Sequence, residues 1–212
     1  MEPATVVIDN GTGYTKMGYA GNLEPSYLIP SVIATSINKN KGNSMAKPGS
    51  FMNPELDFFI GDEALTKSNS HDVRYILRSG QICDWEGIEK YWHRSIHSYL
   101  KCEPENHRFI LTEPPMNTPE NREQIAEIMF ETFNVKGLFI GVQATLALYA
   151  QIAKKDDTST EQQQLGEQDM TGTVIDSGDG VTHIFPVCDG YVIGSCVKSI
   201  PLAGRDITNF IL

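Results

Sequence analysis

Basic residues are in short supply. Seventeen lysines and arginines stand against 27 aspartates and glutamates, a formal net charge of -10, which excludes a chain that holds nucleic acid or anionic membrane by bulk electrostatics. Any anionic ligand has to be bound locally. Cysteine is scarce too. Cys83, Cys102, Cys188 and Cys196 include no CxxC pair, which argues against a zinc ribbon or a disulfide framework and for free thiols. Long apolar runs are also missing. The longest mostly apolar stretch, Leu138 to Ala153, is broken by Gln143 and Gln151 and falls short of the roughly 20 residues a bilayer crossing needs. Met1 to Ile8 has neither a basic start nor an apolar core with a small-residue cleavage site, so no secretory signal is expected and the cytoplasm is the expected compartment. Asn10-Gly11-Thr12 spells a glycosylation sequon, but a chain outside the secretory route never meets the transferase. What remains is an ordinary globular composition, 40% hydrophobic and 21% charged over 212 residues, enough for one large domain or two small ones.

Thr5 to Asp9 (TVVID) is a short β-branched run, and Asn10-Gly11 behind it is a hairpin signal, because both residues tolerate positive φ. A returning strand through Lys16 to Tyr19 and a third around Tyr27 to Thr35 follow. The polar, locally basic stretch from Ser36 to Pro54, with Lys39, Lys41 and Lys47, reads as a solvated, loop-rich excursion before Phe58-Phe59-Ile60-Gly61. Asp84 is a good N-cap, and Trp85, Ile88, Trp92, Ile96, Tyr99 and Leu100 recur at helical spacing, which predicts an amphipathic helix over 84–100 whose aromatic stripe is core. Arg108 to Thr112 (RFILT) reads as a buried strand. Thr118-Pro119 then opens a helix with the stripe Ile125, Ile128, Met129 and Phe133. Leu138 to Ile140 reads as a strand, and Val142 to Ala153 as a buried helix. This is an α/β pattern: a meander of antiparallel strands joined to parallel ones through helical crossovers. Lys154 to Asp169 is almost without apolar residues and divides the chain, after which Thr173 to Asp176 starts a new strand set with hairpin signals at Asp179-Gly180 and Asp189-Gly190.

The chain repeats itself. Residues 7–16 (VIDNGTGYTK) and 174–183 (VIDSGDGVTH) agree at six of ten positions without a gap. In both, an aspartate ends an apolar strand and two glycines shape the turn that follows. Glycines in such a turn can aim successive backbone N–H groups into a concavity that binds anionic oxygens without a basic side chain, which suits an acidic protein. A carboxylate at each strand end would repel bare phosphate but can hold Mg²⁺, directly or through its waters. Asp9 and Asp176 are therefore read as metal-side groups, with Thr12 and Lys16 as donors to phosphate. Neither turn matches GxxxxGK[ST] or leads into a helix, so neither a P-loop nor a dinucleotide fingerprint is indicated. One such turn alone would be an ordinary hairpin. Two, one per sheet, could clamp a phosphate chain from opposite sides. His93 and His97 stand at i, i+4, but no acid follows His93 as in HExxH, and a packed or solvated pair is expected.

These paired turns resemble the two phosphate-binding loops of the superfamily of actin, heat-shock ATPases and sugar kinases. Leu111 to Pro115 (LTEPP), Asn121-Arg122-Glu123, Ile128 to Asn134 (IMFETFN), Asp176 to His183 (DSGDGVTH) and Leu202 to Thr208 (LAGRDIT) are similar to the actin branch. Phe58 to Ala64 (FFIGDEA), Thr112 to Glu123, Thr171 to Asp176 and Gly190 to Ile200 resemble its actin-related proteins. The resemblance implies an actin-like, ribonuclease-H-like α/β fold, a mixed sheet flanked by helices, with a first lobe over 1–153 that carries a loop-rich subdomain at about 31–75. A polar linker over 154–170 and the start of an incomplete second lobe over 171–212 complete it. It implies Mg²⁺ and ATP as ligands. Asp9, Gly11, Thr12, Gly13, Tyr14 and Lys16 would form the first phosphate loop, Asp176, Gly178, Asp179, Gly180 and Val181 the second, and Gly204 would lie near the nucleoside. Gln143 matches the glutamine that positions the attacking water and His183 the histidine that helps order it; hydrolysis without a strong base would be slow. The implied work is assembly: with a second actin-related protein and other subunits, nucleation of branches on actin filaments, without nucleic acid or membrane insertion. A filament-forming actin and a small-molecule kinase of the same superfamily are the alternatives. The branch's members are longer than this chain, and the resemblance puts nearly all of the adenine pocket in the part not present here. The 212 residues alone are therefore expected to bind Mg-ATP more weakly than a full-length relative.

Overall fold

The computed structural model describes residues 3–37, 58–156 and 170–212. Strand β1 (Val6–Asn10) alternates buried and half-buried residues, with Val6 and Ile8 fully buried. Strand β2 (Tyr14–Tyr19) returns antiparallel to it, setting Asp9 opposite Lys16, and β3 (Tyr27–Pro30) pairs with β2. The sequence reads residues 27–35 as one strand; the chain instead breaks it at Ser31. That residue is fully buried and is held by the first turn: its amide donates to the carbonyl of Gly13 (2.9 Å) and its hydroxyl to that of Gly11 (2.7 Å). Strand β4 (Val32–Ser36) therefore leaves for a second, three-stranded sheet with β5 (Phe58–Ile60) and β6 (His71–Tyr75), with α1 (Gly61–Thr66) between them. Lys39, Lys41 and Lys47 lie outside the described residues. A two-stranded ribbon, β7 (Leu77–Arg78) and β8 (Gln81–Ile82), follows.

Asp84 caps α2 (Trp85–Arg94) by accepting from the Gly87 amide (2.9 Å). The predicted single helix over 84–100 changes its winding within that range: residues Ser95–Leu100 are π-helical and end at Lys101 in the left-handed region (φ 53°). Of the predicted aromatic stripe Trp92 is fully buried, with Ile88 and Ile96, whereas Trp85 and Tyr99 are half-buried against the same core; Tyr91, outside the predicted stripe, is fully buried too. Strand β9 (Arg108–Glu113) runs parallel to β1. Helix α3 (Pro119–Glu127), capped by Thr118, ends in a π-helical turn (Ile128–Thr132) and leads to β10 (Gly137–Val142), parallel to β9. The main sheet thus has the order β10-β9-β1-β2-β3, parallel on one side of β1 and antiparallel on the other. That is the α/β arrangement the sequence pattern predicts, because each parallel step needs a helical crossover and each antiparallel step only a turn.

Helix α4 (Gln143–Asp156) follows β10 directly. It is less covered than the buried helix expected: Ala144 is buried, whereas Ala147, Tyr149 and Ala150 are exposed. The last sheet holds β11 (Gly172–Ser177), β12 (Thr182–Cys188), β13 (Tyr191–Val192) and β14 (Lys198–Ile200), and α5 (Gly204–Ile211) follows it. Within that region the buried apolar side chains are Phe185, Val187 and Ala203. All four cysteines are free thiols, and among the described residues no helix is long and apolar enough to cross a membrane.

Candidate functional site

The repeated segments fold alike. In the turn after β1 the Gly11 amide donates to the carbonyl of Tyr14 (3.1 Å), and in the turn after β11 the Gly178 amide donates to that of Val181 (3.2 Å). Both ladders then zip in the same register, Asp9 facing Lys16 and Asp176 facing His183. The hairpins form where predicted but for a different reason. Positive φ at glycine occurs, among the described residues, at Gly21, Gly61, Gly80 and Gly190, and neither Asn10-Gly11 nor Asp179-Gly180 uses it. The prediction by positive φ holds at Asp189 (49°) and Gly190 (81°) instead. In the first turn glycine is needed for space: a Cβ on Gly11 would lie 2.6 Å from the Tyr14 carbonyl oxygen.

The two turns meet, and they meet reciprocally. A Cβ on Gly13 would lie 2.8 Å from Asp179 Cγ, and one on Gly180 would lie 2.6 Å from Thr12 Cγ2. Since Gly13 and Gly180 are equivalent positions of the repeat, as are Thr12 and Asp179, this is one contact made twice, related by an approximate two-fold. Thr12 is pinned in place because its hydroxyl accepts from the Gly80 amide (2.8 Å). Among the described residues, the amides of Thr12, Gly13, Asp179 and Gly180 make no hydrogen bond to protein. Around this junction lies a cleft of about 570 Å³, lined by every phosphate-loop position singled out above and by Gln143 and His183. Gly204 stands behind it rather than on its wall: its amide donates to the Gly178 carbonyl (2.9 Å). A larger cavity of about 1150 Å³ lies elsewhere, beside Arg74, Glu89, His93 and His97. The two imidazoles there lie with centroids 4.5 Å apart and their planes inclined by 54°, and among the described residues no three His, Cys, Asp or Glu side chains gather as for a metal ion.

Asp9 is the most engaged group of the cleft. Its Oδ2 accepts from Lys16 Nζ (2.8 Å), and its Oδ1 from the Thr112 hydroxyl and from Gln143 Nε2 (3.1 Å). Burial works to raise its pKa, but the hydrogen bonds from Lys16, Thr112 and Gln143 and the lysine charge outweigh this and hold the carboxyl below its usual range. Gln143 Nε2 also donates to Thr112 Oγ1 (3.3 Å), which commits its amide nitrogen and leaves Oε1 for another partner. Asp176 is exposed. His183 is held below its ordinary pKa by burial, against the opposing charge of Asp176, and both of its ring nitrogens are buried without a partner among the described residues. The ring stacks on that of Phe185 (centroids 5.4 Å apart), and unpartnered buried nitrogens are costly.

For several residues of the site the sequence analysis read no role there, although Thr112 and Arg205 fall in the actin-like stretches LTEPP and LAGRDIT. Thr112 bridges Asp9 and Gln143 from the end of β9, and Trp92, read only as core, also donates through Nε1 to Asn10 Oδ1 (3.1 Å) beneath the first turn. Arg205, one residue past Gly204, pairs with Asp179 (2.6 Å). Each comes from an element distant in sequence, so no local spacing could have pointed to it.

The profile of the actin family matches residues 1–212. Actin-related protein 3 of Dictyostelium discoideum is 54% identical over all of this chain and 49% of its own length. The proteins of the same name from Acanthamoeba castellanii and Caenorhabditis elegans are each 56% identical, over 98% and 97% of this chain and 48% of theirs. The chain spans about half the length of the curated relatives it matches. With a match over its whole length, an actin fold in part and relatives that are actin-related proteins, this chain belongs to the actin family.

Proposed function

We propose that this chain is the triphosphate-gripping part of an ATP-binding actin-related protein, which works with actin-related protein 2 and further subunits in the complex that nucleates branches on actin filaments. One observation carries the nucleotide part: the two glycine turns, equal in register, interlock across a single cleft with amides to spare. The relatives' name, actin-related protein 3, supports the assembly part and favours it over a filament-forming actin or a small-molecule kinase. The division into a first lobe over 1–153 with its subdomain at about 31–75, a linker over 154–170, which begins within the end of α4 and whose residues 157–169 lie outside the described ones, and the beginning of a second lobe over 171–212 belongs to the same reading, as does a place in the cytoplasmic actin cytoskeleton.

The cleft fits a magnesium-bearing triphosphate: free turn amides for anionic oxygens, a lysine at the edge, carboxylates at both strand ends and an imidazole without partners. A bound Mg²⁺ would neutralise phosphate oxygens. Asp9 and Asp176 would hold it, through water, while Thr12, Lys16 and the amides of both turns would grip the phosphates and Gly204 would lie near the nucleoside. Gln143, its nitrogen committed to Asp9 and Thr112, would offer Oε1 to a water, and the neutral His183 would accept from that water. Neither is a strong base, so hydrolysis would be slow and the nucleotide state, more than turnover, would be the useful output.

Calorimetry of the full-length protein with Mg-ATP tests the clamp. Asp9→Ala and Asp176→Ala should each weaken binding roughly tenfold or more while the fold survives, since a carboxylate that positions the metal acts on every phosphate contact. Unchanged affinity in both variants would remove the clamp. Co-purification of the full-length protein with actin-related protein 2 tests the assembly.

A further inference from the structure

Arg205 joins three parts of the molecule that are far apart in sequence. Its Nη2 donates to Asp179 Oδ2 (2.6 Å) and its backbone amide to the Asp179 carbonyl (2.9 Å), so the second turn is held at both its side chain and its main chain. Its guanidinium also lies over the ring of Tyr75, 4.1 Å from the centroid, at the end of β6. The Asp179 carboxylate that it grips is the same one that covers Gly13, where a Cβ would meet three atoms of that side chain at 2.8 to 3.0 Å. Strand β6 belongs to the sheet of β4, which begins just after Ser31, and Ser31 is bonded to Gly13 and Gly11. A closed circuit results: first turn, Ser31, β4, β6, Tyr75, Arg205, Asp179 and back to the first turn. A planar, doubly functional cation is what this position requires, since a guanidinium can pair with a carboxylate through its edge while stacking on an aromatic ring through its face, and an ammonium cannot do both.

We infer that Arg205 is a positioning residue that clamps Asp179 onto Gly13 and so sets how firmly the two turns stay together. The consequence for nucleotide release rests on the function proposed above; the consequence for the turns themselves does not. Amide hydrogen exchange of the nucleotide-free full chain, read by mass spectrometry, separates the two. Arg205→Ala should speed exchange in both turns, 10–14 and 178–181, read at their hydrogen-bonded amides, Gly11 and Gly178. Acceleration confined to 178–181, or none, overturns the clamp whatever the protein does with nucleotide. Should Arg205→Ala fail to fold, Arg205→Lys and Tyr75→Leu, each of which leaves part of the circuit, must still speed exchange at both turns by a smaller factor. Release of a fluorescent ATP analogue is the second measurement: roughly tenfold faster from Arg205→Ala, less from Arg205→Lys, as expected for the loss of one ion pair and one stack. Equal release from wild type and Arg205→Ala overturns the role in retaining nucleotide. A wild type that holds no analogue at all sinks the proposed function and leaves the exchange result standing.

Discussion

The two glycine turns share a sequence, a register and a closing hydrogen bond, yet they sit in unlike surroundings. Beneath the first, Asn10 is bonded to the fully buried Trp92, Ser31 is wired to two of its carbonyls, and Thr12 is pinned by Gly80. Its aspartate answers to three side chains. The second turn rests on Gly204 and Arg205, and its aspartate, Asp176, is exposed. Local sequence thus sets the shape of a turn, and the elements packed behind it set its rigidity. One turn is an extension of the main core. The other is held chiefly by the first residues of α5.

That contrast can be broken or sharpened, and the largest effect should come from the foundation of the first turn. Trp92→Ala should cost roughly 3–5 kcal/mol in urea denaturation, because it empties the core and strips Asn10 of its donor; a loss below about 1 kcal/mol would mean the turn does not lean on α2. Next comes the paired replacement of equivalent glycines. Gly11→Ala drives a methyl group against the Tyr14 carbonyl and should cost about 1–3 kcal/mol. Gly178→Ala, whose Cβ would stand 3.7 Å from the Val181 carbonyl, should stay within about 0.5 kcal/mol. Equal losses would show that the turns are equally tight. The smallest effect is electrostatic. The Asp9 carboxyl is depressed below its unfolded value of 3.8, so its stabilisation is complete above that value and is lost as the pH falls through the folded one. Lys16→Met should flatten that acid limb by less than about 1 kcal/mol, given that the lysine is 51% exposed. Urea midpoints at pH 7 and pH 3 for wild type and variant measure it.

Much of the fold was legible because its signals are short-ranged. Asp84 and Thr118 cap as their side-chain chemistry predicts, Pro119 opens α3, and the β-branched run ending at Asp9 is a strand. The errors fall where a distant contact overrides a local preference. Ser31 cuts a run of strand formers because the first turn claims its amide and hydroxyl, and Asn10-Gly11 makes its hairpin without the positive φ that the dipeptide favours. Within the cleft, Asp9, Asp176 and the glycines are visible as a repeat, whereas the roles of Thr112, Tyr75 and Arg205 are not, even where the residue falls in an actin-like stretch, since a side chain that serves another element leaves no period in its own.

By itself the sequence determined that two Asp-x-Gly-x-Gly segments end strands and close with the same bond, because that bond and that register lie within a single ten-residue stretch. Only the tertiary structure decided that the segments face each other, Gly13 against Asp179 and Gly180 against Thr12. Nothing in either stretch encodes its distance from the other. That distance is set by the sheet that carries Ser31 and the helix that carries Arg205, through contacts that exist only once both have packed.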